Sequence, residues 1–307
     1  MQAILASPRG FCAGVDRAIQ IVERALEKFG KPVYVRHEIV HNSFVVEDLR
    51  KKGAIFVEEL EEVPSGSTVI FSAHGVAPAI VAAAQQRSLR ILDATCPLVS
   101  KVHYEVQKYA RENYKIIVIG HNNHPEIIGT MGEAPESCIL VESIQDVQKL
   151  TFSSQDKLAF VTQTTLSVDE TQEIITALKT KFPHITSPPK EDICYATTNR
   201  QHAVKTLSQN VDLFLIIGSN NSSNSKRLVE VARTTGIDAH LINTAQDINP
   251  AWLIGKNNVG ISSGASAPET LVKDVVSRLQ ELGVSTVHEE KVIEENMTFA
   301  LPKDLRN

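Results

Sequence analysis

Apolar positions in this chain recur at two spacings that take turns along its length. From Cys12 onward, Val15, Ala18, Ile19, Val22, Ala25, Leu26 and Phe29 repeat at helical spacing until Gly30-Lys31-Pro32 stops the run. A β-rich stretch, Val33-Tyr34-Val35-Arg36, then leads into a polar turn from His37 to Ser43. A second helix is expected over 44–52 and a short strand over 55–57. Val69-Ile70-Phe71 reads as the next strand, running into the polar turn Ser72-Ala73-His74-Gly75 and an Ala-rich helix over 79–86.

The same order restarts at Cys96. Pro97 suits a first helical turn, and Val99, Val102, Val106, Tyr109 and Ala110 supply an apolar face. Ile116-Ile117-Val118-Ile119 reads as a buried strand that ends in a turn from Gly120 to Glu126. Cys138-Ile139-Leu140-Val141 is a short strand, and Leu158-Ala159-Phe160-Val161 is another, ending in Thr162-Gln163-Thr164-Thr165. Ser167 and Glu170 fit a capping box that opens the following helix. A third copy begins at Cys194, with a helix over 196–209, a strand over 213–217 and a turn from Gly218 to Asn224. Strands over 239–242 and 259–262 follow, the last ending in Ser263-Gly264-Ala265-Ser266, where Ser266 and Glu269 again read as a capping box.

Counting supports the repeat. From cysteine to first polar turn the intervals are 29 residues to His41, 28 to His124 and 28 to Ser222. To the second turn they are 62 to His74, 68 to Thr164 and 72 to Ser266. A period of about 90 residues, with strands alternating with helices, implies an α/β protein of three similar units with mainly parallel sheets. Ligands of such sheets gather beyond the carboxyl ends of the strands. Six loops, two per unit, are therefore expected to converge with Cys12, Cys96 and Cys194.

Composition narrows the partners. The 307 residues are 42% hydrophobic and 22% charged, with a formal net charge of −5 and no dense Lys/Arg stripe, which argues against nucleic acid. No apolar run is long enough to span a bilayer, and the first residues lack the features of a signal peptide, so the expected location is cytoplasmic. Thiols stay reduced there, so Cys12, Cys96, Cys138 and Cys194 are poor candidates for disulfides.

A cysteine on its own is most often a small buried hydrophobe, and Cys138, on a middle strand, is read that way. Cys12, Cys96 and Cys194 each stand ahead of an expected helix, whose N-terminus favours a thiolate. Three such thiols could hold zinc together with a histidine, or an iron–sulfur cluster with one iron open. Zinc ligands usually come partly in local pairs, and no CxxC occurs; an open iron would act as a Lewis acid toward a substrate oxygen. His41, His74, His124, Thr164, Ser222, Ser223, Asn224 and Ser266 offer hydrogen-bond donors near helix starts, which suits an anion without a P-loop. Taken singly each is an ordinary cap or surface residue; at matched loops they suggest a compact anion such as a diphosphate. Glu126, beside His124, is either a first-turn acid that favours the helix dipole or a proton donor.

Pro8-Arg9-Gly10-Phe11-Cys12-Ala13-Gly14-Val15, Ala94-Thr95-Cys96-Pro97, His124-Pro125-Glu126 and Asp192-Ile193-Cys194-Tyr195-Ala196-Thr197-Thr198-Asn199-Arg200-Gln201 form a specific set of strings. With Gln163-Thr164-Thr165-Leu166-Ser167, Ser222-Ser223-Asn224-Ser225 and Gly264-Ala265-Ser266-Ala267-Pro268 they make the chain resemble the 4-hydroxy-3-methylbut-2-enyl diphosphate reductases of the non-mevalonate isoprenoid pathway. The resemblance runs through nearly the whole length, and Cys138 lies outside it. It implies an oxidoreductase with a [4Fe–4S] cluster held by Cys12, Cys96 and Cys194, the fourth iron open. It implies that His41, His74, Ser222, Ser223, Asn224 and Ser266 hold the substrate's diphosphate, with His124 nearby. Thr164 would position the substrate's hydroxyl and Glu126 would supply protons, with electrons from reduced flavodoxin or ferredoxin. The implied fold is three α/β domains, 1–95, 96–193 and 194–282, in pseudo-threefold arrangement around the cluster, with a tail over 283–307 returning to the first. Nothing in the sequence demands more than a monomer. A cluster-dependent dehydratase, a phosphorylated-ligand binding protein and a zinc hydrolase are the competing classes.

Overall fold

Strands and helices alternate in the computed structural model, which describes residues 1–306. The chain opens with β1 (Gln2–Ser7), α1 (Ala13–Phe29), β2 (Val33–Arg36), α2 (Ser43–Lys52) and β3 (Ala54–Val57). It continues through β4 (Thr68–Phe71), α3 (Pro78–Gln86), β5 (Arg90–Asp93), α4 (Pro97–Arg111) and β6 (Lys115–Ile119). Next come α5 (Pro125–Met131), β7 (Cys138–Val141), α6 (Ile144–Lys149), β8 (Leu158–Thr162), α7 (Val168–Lys181) and α8 (Tyr195–Leu207). The rest is β9 (Leu213–Ile217), α9 (Ser223–Thr234), β10 (Asp238–Ile242), β11 (Asn258–Ser263), α10 (Glu269–Glu281) and β12 (Thr286–Lys291).

Two compact units partition the chain. One comprises Met1–Val15, His41–Val45 and Tyr195–Thr298; the other comprises Asp16–Val40, Val46–Cys194 and the residues from Phe299 onward. The first unit holds a five-stranded sheet, β10-β9-β11-β1-β12, with every pairing parallel. The second holds two parallel sheets, β3-β2-β4-β5 and β7-β6-β8, and beside β8 the residue Thr186 makes one parallel bridge to Ala159. Parallel strands are covered on both faces, and β8 and β9 are buried at every position, as their unbroken apolar runs require. Each fully buried Leu or Ile there contributes roughly 1.5–3 kcal/mol of apolar burial.

The three sheets share one strand order. Counting strands from the cysteine that opens each repeat, and β1 after β11, the second strand is followed across the sheet by the first, the third and the fourth: β3-β2-β4-β5, β7-β6-β8-Thr186 and β10-β9-β11-β1. The first strand of the whole chain is thus the fourth strand of the last sheet. β1, which the reading from sequence groups with residues 1–95, is paired with β11 and β12, and β12 adds the segment 286–291 of the tail. Farther along the tail, Arg17 and Lys28 of α1 donate to the Ala300 and Asp304 carbonyls. Asn307, the last residue of the expected tail, lies outside the described residues.

In each sheet the first and third strands are neighbours although their connections leave in opposite directions, which is the switch point where α/β sheets bind ligands. The loops after these strands touch in every sheet. Ala73 N–H donates to Ile39 O, Gln163 N–H to Ile119 O and Gly264 N–H to Ile217 O, at 3.1, 2.8 and 2.9 Å.

One expected cap fails. Ser167 caps α7 by accepting the Glu170 N–H at 3.4 Å, but α10 starts at Glu269 with Pro268 as its cap. Pro268 fixes an extended entry, which moves the helix start past Ser266 and frees that hydroxyl; it donates instead to the His41 carbonyl at 2.9 Å. No helix among the described residues is long and apolar enough to cross a membrane.

Candidate active site

The second unit collects Glu126, His124, Thr164, His74, Cys96 and Cys194. His124 caps α5, its Nδ1 accepting the Glu126 N–H at 3.2 Å, so a neutral ring carries its proton on Nε2. Glu126 is only 2% exposed. Thr164 grips both of its oxygens: the main-chain N–H donates to Oε1 at 2.6 Å and the hydroxyl to Oε2 at 3.0 Å. Burial pushes the Glu126 carboxyl up to about 7, against the downward pull of the two Thr164 bonds. A carboxyl poised there exchanges its proton readily near neutral pH. His74 meets His124 edge to face, ring centres 5.8 Å apart at 85°, while its Nδ1 hydrogen-bonds with the Ser72 hydroxyl at 3.2 Å.

Two glycines let these segments close together. Gly75, after His74, has φ of +80°, and a Cβ there would stand 2.8 Å from His103 Cε1. A Cβ on Gly129, one turn after Glu126, would meet the Gly75 carbonyl at 3.2 Å. The His103 ring fills that gap and is held by Glu133, Nδ1 to Oε1 at 2.7 Å. The sequence reading took Gly75 only as part of a turn and passed over His103 and Gly129; His103, far from His74 and Glu126 along the chain, gave no local signal.

The first unit collects Cys12, His41, Ser222, Ser223, Asn224 and Ser266. Ser222 caps α9, accepting from the Ser225 N–H at 3.3 Å and the Ser225 hydroxyl at 3.0 Å. Ser223 is half-buried at the first position of that helix. Asn224 is 5% exposed, and neither its Nδ2 nor its Oδ1 has a hydrogen-bond partner. A buried amide with both polar atoms unsatisfied is costly, roughly 1–3 kcal/mol per group, unless a ligand completes it. Gly264 of the loop after β11 packs on it closely: a Cβ there would be 3.4 Å from Asn224 Nδ2 and would fall on the Ser225 hydroxyl. Ser266, two residues on, holds the His41 main chain.

The cysteines divide as the pattern suggested. Cys138 sits on β7 among Val102, Val106, Ile116 and Val161, and burial pushes its thiol up to about 12, which makes it inert. Cys12, Cys96 and Cys194 are partly exposed. Each follows the fourth strand position of a sheet and stands immediately before a helix: α1, α4 and α8. Each is also pinned by the same main-chain bond. Cys12 N–H donates to Ala265 O at 3.2 Å, Cys96 N–H to Ala73 O at 3.0 Å and Cys194 N–H to Thr164 O at 3.0 Å. The three acceptors all lie two residues beyond the end of a third strand: β11, β4 and β8. Among the described residues, no group of three or more His, Cys, Asp or Glu side chains is arranged as a site for a metal ion.

Comparison with known proteins matches residues 3–280 to the family described as LytB protein. A 4-hydroxy-3-methylbut-2-enyl diphosphate reductase of Ralstonia nicotianae is 56% identical over 305 residues, covering 99% of this chain and 94% of its own. The solved E-1-hydroxy-2-methyl-but-2-enyl-4-diphosphate reductase of Plasmodium falciparum superposes with a TM-score of 0.97 at 45% identity, over 99% of this chain and 96% of that one. A solved (E)-4-hydroxy-3-methyl-but-2-enyl diphosphate reductase, described as the terminal enzyme of the non-mevalonate pathway, gives 0.66 at 35% identity, over 92% and 100%.

Proposed function

The chain belongs to the LytB protein family, and from that membership we propose that it reduces 4-hydroxy-3-methylbut-2-enyl diphosphate. Two electrons and two protons convert the substrate to isopentenyl or dimethylallyl diphosphate, and the hydroxyl leaves as water. The electrons come from a small reduced carrier such as flavodoxin or ferredoxin. A monomer suffices, built as three α/β domains with boundaries near the cysteines at 96 and 194, β1 serving the sheet of the last one.

Cys12, Cys96 and Cys194 hold a [4Fe–4S] cluster in this reading. Their partial exposure, their matched place before a helix and their repeated main-chain anchoring suit thiolate ligands, in contrast to Cys138. When bound, such a cluster supplies the electrons and a Lewis-acidic iron to assist departure of the hydroxyl. The chain's own residues do the rest. Hydroxide is a poor leaving group, so a proton must reach it, and Glu126 holds that proton near neutral pH. Thr164 fixes the direction of the Glu126 carboxyl and turns its own hydroxyl toward the same atoms. His124 carries a second exchangeable proton on Nε2. The unsatisfied Asn224 amide, with Ser222, Ser223, Ser266, His41 and His74, binds the diphosphate through uncharged donors and imidazoles.

The observation that carries this reading is the buried Glu126 clasped by Thr164. Glu126→Gln keeps both contact geometry and volume but has no proton to give. We expect it to bind substrate near normally while turnover falls about 10²–10⁴-fold; near-normal turnover would remove Glu126 from the chemistry. A cluster-dependent dehydratase would turn over without reductant, so anaerobic assays with and without a low-potential donor separate the two reactions.

A further inference from the structure

The helix that follows each cysteine carries a cation at nearly the same offset: Arg17 and Lys101 five residues on, Arg200 six. Each of these cations reaches the main chain just before the next cysteine. Arg17 donates to Ala94 O at 3.3 Å and Thr95 O at 3.0 Å, the two residues ahead of Cys96. Lys101 donates to Lys190 O at 2.7 Å, Glu191 O at 3.3 Å and the Asp192 carboxylate at 2.6 Å, closing on the segment ahead of Cys194. Arg200 donates to Gly10 O at 2.8 and 3.2 Å and to Phe11 O at 3.5 Å, the two residues ahead of Cys12. The relation is cyclic: the helix after Cys12 grips the approach to Cys96, the helix after Cys96 the approach to Cys194, and the helix after Cys194 the approach to Cys12. Every one of these contacts lies inside a single compact unit.

We infer that Arg17, Lys101 and Arg200 are positioning residues that latch the three cysteine loops in the conformation a cluster requires. This rests on the reading of Cys12, Cys96 and Cys194 as ligands of one cluster. A free loop has to be ordered each time it takes up a ligand, and a latch removes that cost beforehand. Cationic donors suit the task because their hydrogen bonds to carbonyls are about twice as strong as neutral ones. Main-chain carbonyls also accept them whatever the side chains in the loop. The latches are themselves anchored. Arg200 is fully buried and paired with Glu295 at 3.0 Å. The second oxygen of Asp192 accepts the Thr162 N–H at 2.8 Å, two residues before Thr164. Arg17 also donates to Ala300 O at 2.9 Å. Together with the amide anchors from the third strands, each cysteine is held from two directions.

The test uses the full chain, reconstituted anaerobically with iron and sulfide. Iron and acid-labile sulfide per chain, the visible absorption of the cluster and its rate of bleaching under a chelator are compared for wild type, Arg17→Met, Lys101→Met and Arg200→Met. Arg233→Met is the control, because Arg233 makes the same kind of grip, on Ala239 O at 2.8 and 3.2 Å, away from any cysteine loop. Circular dichroism confirms folding of each variant; if Arg200→Met does not fold, Arg17 and Lys101, which are partly exposed, carry the comparison. The latch variants should lose cluster 10–100-fold faster than wild type, as loss of a supporting contact commonly does, while Arg233→Met bleaches at the wild-type rate. Arg17→Lys and Lys101→Arg, which keep the cation, should recover part of the retention. Folded latch variants that bleach no faster than Arg233→Met would overturn the inference. A wild-type chain that takes up no iron and sulfide would instead overturn the reading beneath it.

Discussion

Glu126 shows how one side chain carries both a folding term and a chemical one. Its ordinary carboxyl titrates near 4.5, and burial raises it to about 7 in the fold. Between those values the folded chain holds a proton that the unfolded chain has released, so this residue makes stability fall as pH rises from about 4.5 toward 7. Above about 7 both states are ionised and the slope vanishes, leaving a buried carboxylate whose hydrogen bonds come from Thr164. At roughly 1.4 kcal/mol per unit, the accumulated loss is on the order of 3 kcal/mol. Glu126→Gln cannot ionise, so thermal melts should show it gaining stability on wild type from pH 5 to pH 8. Parallel melting curves for the two proteins across that range would mean the carboxyl is not raised. The turnover of wild type should decline through the same region, because the protonated form is the one that donates.

At the scale of elements, the loops after the first and third strands are shaped by what packs beneath them. Gly264 is the clearest case, since a methyl group there would collide with Ser225 at the start of α9. Gly264→Ala should cost roughly 1–3 kcal/mol, as overpacking does. Trimming the obstacle with Ser225→Ala leaves the new methyl 3.2 Å from the Ser225 Cβ, a tight but bearable contact. A double-mutant cycle by chemical denaturation should therefore return a favourable coupling of about 1 kcal/mol or more; additive losses would mean the two residues do not meet. Elements of this kind were legible in the sequence wherever an apolar period backed them. The strands at 213–217 and 138–141, and the helix starting near Cys96, stand where the pattern puts them. β12, Thr-Val-His-Glu-Glu-Lys, is almost wholly exposed and has no such period; only its pairing with β1 makes it a strand. α9 was placed only through its start near Ser222, and its apolar face, Leu228, Val229, Val231 and Ala232, is confined to its second half. Ser266 looked like a cap by local spacing, and Pro268 overruled it. Residues of the candidate site were visible because they recur in matched turns; Arg17, Lys101 and Arg200 recur too, but their role was not legible, because each acts on a loop distant in sequence.

For the molecule as a whole, the repeat is circularly permuted: the chain starts with the fourth strand of its last sheet. A reading that begins at each cysteine finds the period and keeps two sheets whole, but leaves β1 with the first unit, because its pairing with β11 spans almost the whole chain. The tail after β12 then completes a buried polar centre in the same unit. Glu295 accepts from Arg200 Nη1 at 3.0 Å and from Asn199 at 3.0 Å, and Arg200 is 0% exposed. Ending the chain at Val292 would keep β12 but leave the Arg200 charge with carbonyl acceptors alone. Breaking one half of a buried pair costs about 3–5 kcal/mol, mostly through the charge left behind. The truncated chain should therefore melt well below the full chain. The sign of a second change then identifies the cause. Arg200→Met should lower stability in the full chain, where it strands Glu295 and unties Gly10. In the truncated chain the same substitution should recover part of the loss, because it removes the uncompensated cation. If Arg200→Met destabilises both chains equally, the tail acts by covering surface and not by neutralising Arg200.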